Sequence, residues 1–485
     1  MEIENLFKTA VLHHGKKNFS KAKEIYEVLL QKNPDNLAIL QNYAALLAQI
    51  KNYKEADNIF KKCLKIKPKD PLLLYNYGKL FHDQKVFDKA AEFYKESFAA
   101  DPKNDIVLYN LGNIYSALKK FKKSIECFKK AIEINPSNFL AYNNMGFSYK
   151  YTGNFEEAEK FYKKAIEKKS DYIEAHLNYS TMLLSLKKFE NGFKEYEWRK
   201  KSKTFLDYIN YQKLNLKSKV WQGENLENKK LLVITEQGIG DLIQFVRYLY
   251  KIKESYNVEI ILYLKNKKFS HFLETEKFKI ISEEDKIPDH DFHNHLLSLL
   301  GIFNKKNQLF YKTVNFFKNN KNTEEKWTKK LEKYKGLKIG INAYTSLQKK
   351  NIPFSYFVKL SSIYKANFFL IQKKPSDNDL KEISVRKNII CFPDIDESEK
   401  PFLDSIEIIK QMDLVITADT STAHLSATLG KKTWIILPFL SDWRWFLKKS
   451  ESNWYKNVKL FRSEEIDNLD TAFKSVEKDL KKAFF

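Results

Sequence analysis

Cysteine, arginine and long apolar runs are all scarce in this chain of 485 residues. The three cysteines, Cys63, Cys127 and Cys391, lie far apart and show neither disulfide pairing nor metal-ligand spacing. No apolar run approaches the roughly 18 residues that a membrane-spanning helix needs. The first ten residues carry two acids and no apolar segment, which argues against a secretory signal peptide. We therefore expect a cytoplasmic protein without a transmembrane segment.

Arginine occurs only five times, although the formal net charge is +24. The positive excess is almost entirely lysine, and the lysines are scattered along the chain. Proteins that read nucleic acids favour arginine, because its planar fork makes two hydrogen bonds to a base or a phosphate. The composition thus indicates a lysine-rich solvated surface and no nucleic-acid partner. With 43% hydrophobic residues the chain can bury several cores, so disorder is not expected.

The first 206 residues contain a repeat of 34 residues. Prolines recur at positions 34, 68, 102 and 136, and small residues at 44, 78, 112, 146 and 180. Small residues let two helices cross closely, and proline ends the second helix of each unit. The pattern resembles the tetratricopeptide repeat, a helix–turn–helix unit of that period. We predict six units that stack into an α-solenoid with a concave groove, at about residues 3–36, 37–70, 71–104, 105–138, 139–172 and 173–206.

A column of asparagines follows the same period on the first helix of each unit. Its members are Asn42, Asn76, Asn110, Asn144 and Asn178. A side-chain amide both donates and accepts hydrogen bonds, so a ladder of amides along the groove can clamp the backbone of an extended peptide. The alternative is that each asparagine bonds within its own unit. Under the first interpretation a protein partner would lie in the groove of the repeats.

Beyond residue 206 the pattern changes to short apolar runs separated by helical stretches. Strands are predicted at residues 231–235, 258–264, 337–341, 368–371, 389–392, 414–417 and 433–437. Helices are predicted at residues 241–252, 354–365, 402–411 and 421–429. Such alternation is typical of parallel sheets covered by helices. We predict two Rossmann-like α/β domains with a cleft between their strand ends, at residues 230–335 and 336–485. Residues 207–229 are predicted to be a linker that docks on the fold, because an exposed Trp221 would be unfavourable.

Two polar turns that follow predicted strands carry the candidate chemistry. The first turn, EQGIGD at residues 236–241, has one G-x-G followed by Asp, so it is not a full dinucleotide fingerprint and an oxidoreductase is disfavoured. Gly238 and Gly240 would let the chain turn with a positive φ and let a ligand approach the backbone. The second turn, DTSTAH at residues 419–424, precedes a short helix. The free N–H groups and the dipole at the start of that helix would attract an anion.

Together these turns resemble the motifs of the heptosyltransferase-like glycosyltransferases of family 9, in the variant that carries tetratricopeptide repeats in front. The matching segments are EQGIGD (236–241), QFVRY (244–248), DFHNHLLSL (291–299), DTSTAHL (419–425) and DWRW (442–445), with WY at 454–455. The resemblance implies a GT-B fold that moves a sugar from a nucleotide-sugar to an acceptor hydroxyl, without an obligatory metal or a cofactor. The first α/β domain would bind a glycan, glycolipid or protein acceptor, and the second would bind the nucleotide-sugar.

The resemblance also implies roles for individual residues. Asp241 matches the catalytic base, which takes the proton of the acceptor hydroxyl, although it could instead only cap its helix. The donor site would comprise Lys350, Lys373, Asp419, Thr420, Ser421, Thr422, His424 and Arg444. Within this set Asp419 could hold the shape of its turn, and His424 could be a structural histidine. Arg444 could bind phosphate or pair with Asp442.

One segment departs from the family. After the strand at residues 337–341 the family shows a Gly-Asn-rich turn, a histidine and a basic residue before Ser-Ile-Pro, whereas this chain has NAYTSLQKKNIP at 342–353. The histidine is missing and Asn351 replaces the serine, while Lys350 keeps the basic position. Two functions therefore stay open. One is a glycosyltransferase whose repeats recruit the acceptor or a protein partner, and the other is a catalytically degenerate scaffold that acts through its repeats.

Overall fold

The computed structural model describes residues 2–209, 214, 216–273, 277–344, 350–372, 375–397, 400–466 and 468–484. The chain forms two compact units, Met1–Tyr179 and Ser180–Phe485. The division between them falls within the helix Ile173–Ser185. The first unit is helical, and the second contains two parallel sheets covered by helices.

Helix pairs build the first unit and confirm the predicted repeat. The pairs are α1 (Glu2–Gly15) with α2 (Phe19–Lys32), α3 (Leu37–Gln49) with α4 (Tyr53–Ile66), α5 (Pro71–Asp83) with α6 (Phe87–Ala100), α7 (Asp105–Ala117) with α8 (Phe121–Ile134), and α9 (Phe139–Tyr151) with α10 (Phe155–Lys168). A sixth pair, α11 (Ile173–Ser185) and α12 (Phe189–Tyr196), follows in sequence. The column of small residues has the expected cause, because a Cβ atom on Gly112 would lie 2.6 Å from the ring of Phe128.

The residues of the asparagine column are half-buried, and several of their amides donate within the solenoid. Asn110 Nδ2 donates to the Ile106 carbonyl at 3.0 Å and to the Tyr75 hydroxyl at 3.1 Å. Asn144 Nδ2 donates to the Tyr109 hydroxyl at 3.3 Å. Each of these tyrosines belongs to the preceding repeat, so Asn110 and Asn144 tie neighbouring repeats together, whereas Asn42 donates to the Ala38 carbonyl of its own helix at 2.9 Å. A peptide clamp built on these residues stays a prediction.

Sheet A has five parallel strands in the order β1-β5-β2-β3-β4. The strands are β1 (Lys219–Val220), β2 (Lys229–Ile234), β3 (Val258–Leu264), β4 (Lys279–Ser282) and β5 (Phe292–His295). The helices of this part are α13 (Lys203–Ile209), α14 (Ile239–Phe245), α15 (Arg247–Ser255), α16 (Leu299–Lys305) and α17 (Lys321–Leu331). Trp221 follows β1 and is 1% exposed, with its backbone N–H donating to the His293 carbonyl at 2.9 Å.

Sheet B has six parallel strands in the order β11-β10-β9-β6-β7-β8. The strands are β6 (Lys338–Asn342), β7 (Asn367–Leu370), β8 (Ile389–Cys391), β9 (Leu414–Ala418), β10 (Thr433–Leu437) and β11 (Val458–Arg462). The helices are α18 (Ser355–Ile363), α19 (Asp377–Ser384), α20 (Leu403–Lys410), α21 (Ser421–Thr428) and α22 (Asp470–Phe484). Every residue of β9 and β10 is buried, as expected when helices cover both faces of a parallel sheet.

Strand order defines one point in each sheet where the chain reverses its direction of winding. In sheet A this point lies between β2 and β5, and in sheet B it lies between β6 and β9. In open α/β sheets, ligands bind outside the carboxyl ends of the strands at such points. The two polar turns predicted to carry the chemistry follow β2 and β9, and therefore both lie at these positions.

The predicted strands are confirmed to within two residues at each end, but one predicted helix is wrong. Residues 241–252 form two helices, Ile239–Phe245 and Arg247–Ser255, instead of one. The prediction also lacked four short strands, β1, β4, β5 and β11. Within the part of the chain that the structure describes, no helix combines the length and apolarity required to cross a bilayer.

Candidate active site

Asp241 lies in the first turn of helix α14, just after the turn that follows β2. Its Oδ2 atom accepts a hydrogen bond from the backbone N–H of Gly238 at 3.3 Å, so it caps its own helix. Its Oδ1 atom accepts a hydrogen bond from Arg444 Nη2. Burial raises the pKa of Asp241 and outweighs the opposing effect of the Arg444 charge. The capping role is therefore present, but it occupies only one of the two carboxylate oxygens.

The two glycines of this turn do not have the backbone conformation expected of them. Gly238 has a φ of −84°. The residue with a positive φ is Gln237, at 63°, and neither glycine has one. The expectation of a positive φ at Gly238 and Gly240 is thus wrong. Gly240 is needed for close packing instead, because a Cβ atom there would lie 3.1 Å from His424 Cδ2 and 3.7 Å from Ser421 Cα. Glycine lets helix α14 of one sheet approach helix α21 of the other.

The turn after β9 leads directly into helix α21. Thr420 is its N-cap, and its hydroxyl accepts a hydrogen bond from the Thr422 N–H at 3.2 Å. Asn342, at the end of β6, donates through Nδ2 to the Thr422 hydroxyl at 3.2 Å. Thr420 and Ser421 are half-buried, so they stay accessible at the start of the helix. This helix start lies at the reversal point of sheet B, a position that suits an anion.

Asp419 orients two neighbouring side chains. Its Oδ2 atom accepts a hydrogen bond from Lys350 Nζ at 2.6 Å, and its Oδ1 atom accepts one from Trp445 Nε1 at 2.8 Å. Burial acts to lower the pKa of Lys350, but the charges of Asp419 and Asp442 outweigh it and raise that pKa. Lys350 is therefore a protonated ammonium group held in place. The geometry favours the interpretation that Asp419 shapes the site.

Arg444 connects the charged groups of the two sheets. Its Nη1 atom donates to Asp442 Oδ1 at 2.8 Å, and its Nη2 atom donates to Asp241 Oδ1. The guanidinium carbon lies 4.6 Å from the ring centre of Trp443. The side chain is 7% exposed, and its Nε atom has no hydrogen-bond partner among the described residues. Burial acts to raise the pKa of Asp442, but Arg444 and Lys350 hold it at about 2.

His424 is a buried histidine with partners on both sides. Its ring stacks on Trp445, with centroids 5.3 Å apart, and its Nδ1 atom lies 3.1 Å from the Tyr455 hydroxyl. Burial, together with the charges of Arg444 and Arg247, lowers the pKa of His424 to about 3. The imidazole is therefore neutral at pH 7. It can offer a hydrogen bond to a ligand but no charge.

A cavity of about 580 Å³ opens at the carboxyl ends of β2, β3 and β4. Its lining comprises residues 235–239 and Leu242, residues 264–269 at the end of β3 and beyond it, and residues 282–284 at the end of β4 and beyond it. It therefore adjoins the turn that carries Asp241. Small-molecule sites commonly have volumes of about 300–1,000 Å³, so this cavity can hold a sugar-sized ligand.

The structure brings most of the predicted site residues together. Asp241, Lys350, Asp419 and Arg444 belong to two neighbouring sets of ion pairs that Asp442 links electrostatically. Lys373 and residues 345–349 lie outside the described residues. No group of three His, Cys, Asp or Glu side chains in the described ranges is placed to hold a metal ion.

From the sequence alone, no individual role was predicted for several residues that support this site. They are Arg199, Tyr196, Glu236, Arg247, Asn342 and Tyr455. For the two arginines, the rarity of this residue in the chain was the available signal. In a chain where lysine supplies nearly all positive charge, an arginine marks a position that needs a fixed fork of donors. Arg199, Arg247 and Arg444 are all buried.

Comparison with known proteins identifies the repeats. Residues 14–80, 72–104, 106–138 and 139–172 match the tetratricopeptide repeat family. Such repeats indicate that the first unit takes part in protein–protein interaction. No curated protein matches the chain.

Several solved structures are similar to part of the chain. The MamA protein is 24% identical over 35% of this chain and 92% of its own, with a TM-score of 0.32. PilF of Pseudomonas aeruginosa is 18% identical over 44% of this chain and 96% of its own, with a TM-score of 0.38. PilW, a type IV pilus biogenesis factor, is 16% identical over 42% of this chain and 94% of its own, with a TM-score of 0.39.

Proposed function

We propose that the second unit is a glycosyltransferase of the GT-B type, which moves a sugar from a nucleotide-sugar to an acceptor hydroxyl. One observation carries the proposal: the reversal points of two parallel sheets meet, with Asp241 on one side and the start of helix α21 on the other. Arg444 bridges the two sides through its contact with Asp241. Two facing sites of this kind suit a reaction that joins two substrates.

The donor diphosphate would bind on the sheet B side. Transfer leaves a nucleoside diphosphate with developing negative charge, which fixed cations and hydrogen-bond donors stabilise. Lys350 and Arg444 supply the cations, and the start of helix α21 supplies backbone N–H groups and the hydroxyls of Thr420 and Ser421. Both cations pair with carboxylates in this structure, so a diphosphate would compete for them with Asp419, Asp241 and Asp442.

Asp241 would act as the base on the sheet A side. Its pKa is raised by burial, which makes the carboxylate a better proton acceptor than an exposed aspartate. The hydrogen bond from Arg444 occupies the Oδ1 atom of Asp241, so this oxygen is not available to accept the proton of the acceptor hydroxyl. A donor diphosphate that attracts Arg444 would therefore free the base at the moment when the donor is in place.

The acceptor would bind in the cavity beside the turn at residues 236–241. The cavity lies at the strand ends of sheet A and can hold one sugar or a short side chain. The acceptor itself would be a glycan, a glycolipid or a protein, and the repeats would recruit it or bind a partner protein. Interaction through the repeats alone is the second candidate function, and the match to the tetratricopeptide repeat family favours it.

A panel of nucleotide-sugars distinguishes the two functions. All seven tryptophans lie between residues 198 and 454, so their fluorescence reports on the second unit alone. We expect one class of nucleotide-sugar to raise the melting temperature, because a ligand that binds only the folded state stabilises it. The same donor should be consumed when an acceptor is added. Stabilisation without consumption would favour the scaffold function, and absence of both would contradict the transferase.

A further inference from the structure

The end of the sixth helix pair packs against the loops that form the candidate active site. Residues 185–201, called the junction segment below, comprise the end of helix α11, helix α12 and the short turn of 3₁₀ helix Glu197–Lys201. A Cβ atom on Gly301 would lie 3.5 Å from Phe193 Cβ, so helix α16 of sheet A lies directly on helix α12. The Ser185 carbonyl accepts a hydrogen bond from the Leu447 N–H at 3.1 Å.

Arg199 makes a bidentate ion pair with Glu236, the first residue of the turn that leads to Asp241. Its Nε atom donates to Glu236 Oε2 at 3.0 Å, and its Nη2 atom donates to Glu236 Oε1 at 2.8 Å. The two side chains are 4% and 0% exposed. Glu236 Oε1 also accepts the Leu297 N–H at 3.0 Å. Glu236 therefore links the start of the turn to the segment that follows β5, at the reversal point of sheet A, and Arg199 contacts the same segment by donating to Ser298 Oγ at 2.8 Å.

Tyr196 holds the next residue of the same turn. Its hydroxyl accepts a hydrogen bond from Gln237 Nε2 at 2.9 Å. Gln237 is the residue with a positive φ, a conformation that is unfavourable for a side chain with a Cβ atom and needs support from its surroundings. The ring of Tyr196 also lies 5.9 Å from that of Trp443, and the ring of Phe193 lies 6.1 Å from it. Trp443 immediately precedes Arg444.

We propose that the junction segment is required for the active conformation of the second unit. In this proposal Arg199 and Tyr196 are positioning residues for the turn that carries Asp241. Arg199 acts through Glu236, and Tyr196 acts through Gln237 and through the packing of Trp443. This proposal rests on the transferase function proposed above. It goes beyond that function by assigning the junction segment to both walls of the cleft. The chain then cannot be divided at residue 206 without loss of the active conformation.

Hydrogen–deuterium exchange of the full-length chain tests the proposal without requiring turnover. We expect Arg199→Met to raise amide exchange in residues 236–242 about tenfold, because local opening controls exchange there. Exchange in β10 should stay unchanged. Arg386→Met is the matched control, since Arg386 pairs with the exposed Glu382 on a surface helix and should change neither region. Faster exchange confined to residues 181–201 would overturn the proposal, because Arg199 would then stabilise only its own helix pair.

Kinetics provides the second measurement. If the chain transfers sugar, Arg199→Met should lower kcat about tenfold or more, with the KM for the donor changed less than about threefold, because misplaced catalytic groups slow the chemical step. Glu236→Gln combined with Arg199→Met should lower kcat no further than Arg199→Met alone, because Arg199→Met has already removed the ion pair that Glu236→Gln weakens. A larger effect on the donor KM than on kcat would overturn the positioning role.

Tyr196→Phe covers the case in which Arg199→Met fails to fold, because it removes one hydroxyl and keeps the ring. We expect exchange in residues 237–241 to rise about threefold, as one supporting hydrogen bond is lost. Unchanged exchange in that segment would overturn the proposal. Faster exchange in a chain that consumes no nucleotide-sugar would support the positioning contacts and contradict only the transferase function.

Discussion

Replacement of Arg444 by methionine tests the contribution of the ion pairs that Arg444 makes with Asp241 and Asp442, called the charge cluster below. Methionine keeps much of the apolar length and removes the charge. Arg444 is 7% exposed, and its partners Asp241 and Asp442 are 15% and 26% exposed. The variant leaves both carboxylates in the cleft without their guanidinium partner. Breaking a buried ion pair from one side costs about 3–5 kcal/mol, so we expect the free energy of unfolding of the second unit to fall by about 3 kcal/mol at pH 7.

Urea unfolding followed by tryptophan fluorescence measures this change. The signal arises only from the second unit, so unfolding of the repeats does not contribute directly. Arg386→Met serves again as the control. Glu382, the partner of Arg386, is 55% exposed, and surface pairs of this kind contribute at most about 1 kcal/mol. If Arg444→Met destabilises no more than Arg386→Met, the cluster does not hold the cleft together.

The loss of stability in Arg444→Met should also depend on pH. Arg444 and Lys350 depress the pKa of Asp442 in the folded chain from 3.8 to about 2. A depressed pKa contributes stability that is present above pH ~4 and is lost as the pH falls towards 2, worth about 2 kcal/mol. Without Arg444 this contribution shrinks, and Asp241 and Asp442 become harder to ionise. We therefore expect the difference in the free energy of unfolding between wild type and variant to be smallest near pH ~2 and to widen as the pH rises through ~4, because ionising the unpaired carboxylates then opposes folding. A constant gap would refute the reasoning.

Three further predictions concern single side chains. Gly240→Ala should lower the free energy of unfolding by about 1–2 kcal/mol, because its Cβ atom would lie 3.1 Å from His424. Gly238→Ala, which meets nothing within 4 Å, should change it by less than about 1 kcal/mol, and equal effects in urea unfolding would contradict the close packing of α14 on α21. Asn110→Ala should destabilise the repeats by about 1 kcal/mol, measured by circular dichroism, because its amide links two repeats. If it leaves their stability unchanged but abolishes peptide binding, the column acts as a peptide clamp. Lys350→Met should weaken binding of the donor about tenfold in a titration followed by fluorescence, since one charged contact to phosphate is lost, and unchanged affinity would exclude Lys350 from the donor site.

The repeats were predictable because their determinants are local and recur. Each unit packs one helix on the next through a small residue such as Gly78 or Gly112, and the same position returns after 34 residues. Strands with several apolar residues, such as β3 and β10, were also predictable from sequence alone. Strand β5, with the sequence FHNH, has no apolar alternation, and only its pairing with β2 makes it a strand. The prediction missed it for that reason.

The candidate site could be predicted only in part. The sequence indicated the polar turns at residues 236–241 and 419–424, because each follows an apolar strand. It did not indicate which charged side chains form ion pairs with one another. Asp241 and Arg444 are 203 residues apart, and Arg199 and Glu236 belong to different elements. Contacts of this kind depend on how the sheets pack. The positive φ was expected at a glycine but falls on Gln237, where neighbouring side chains support it.

Release of nucleoside diphosphate from a nucleotide-sugar, compared between wild type and Asp241→Asn, tests the central claim most directly. Asp377→Asn is the matched control, since Asp377 also lies in the first turn of a helix but is exposed. We predict that wild type and Asp377→Asn turn over one donor class at equal rates in the presence of acceptor. Asp241→Asn should bind that donor and turn it over about 10²–10⁴-fold more slowly. Full activity of Asp241→Asn, or no turnover by the wild-type chain with any donor that it binds, would contradict the account.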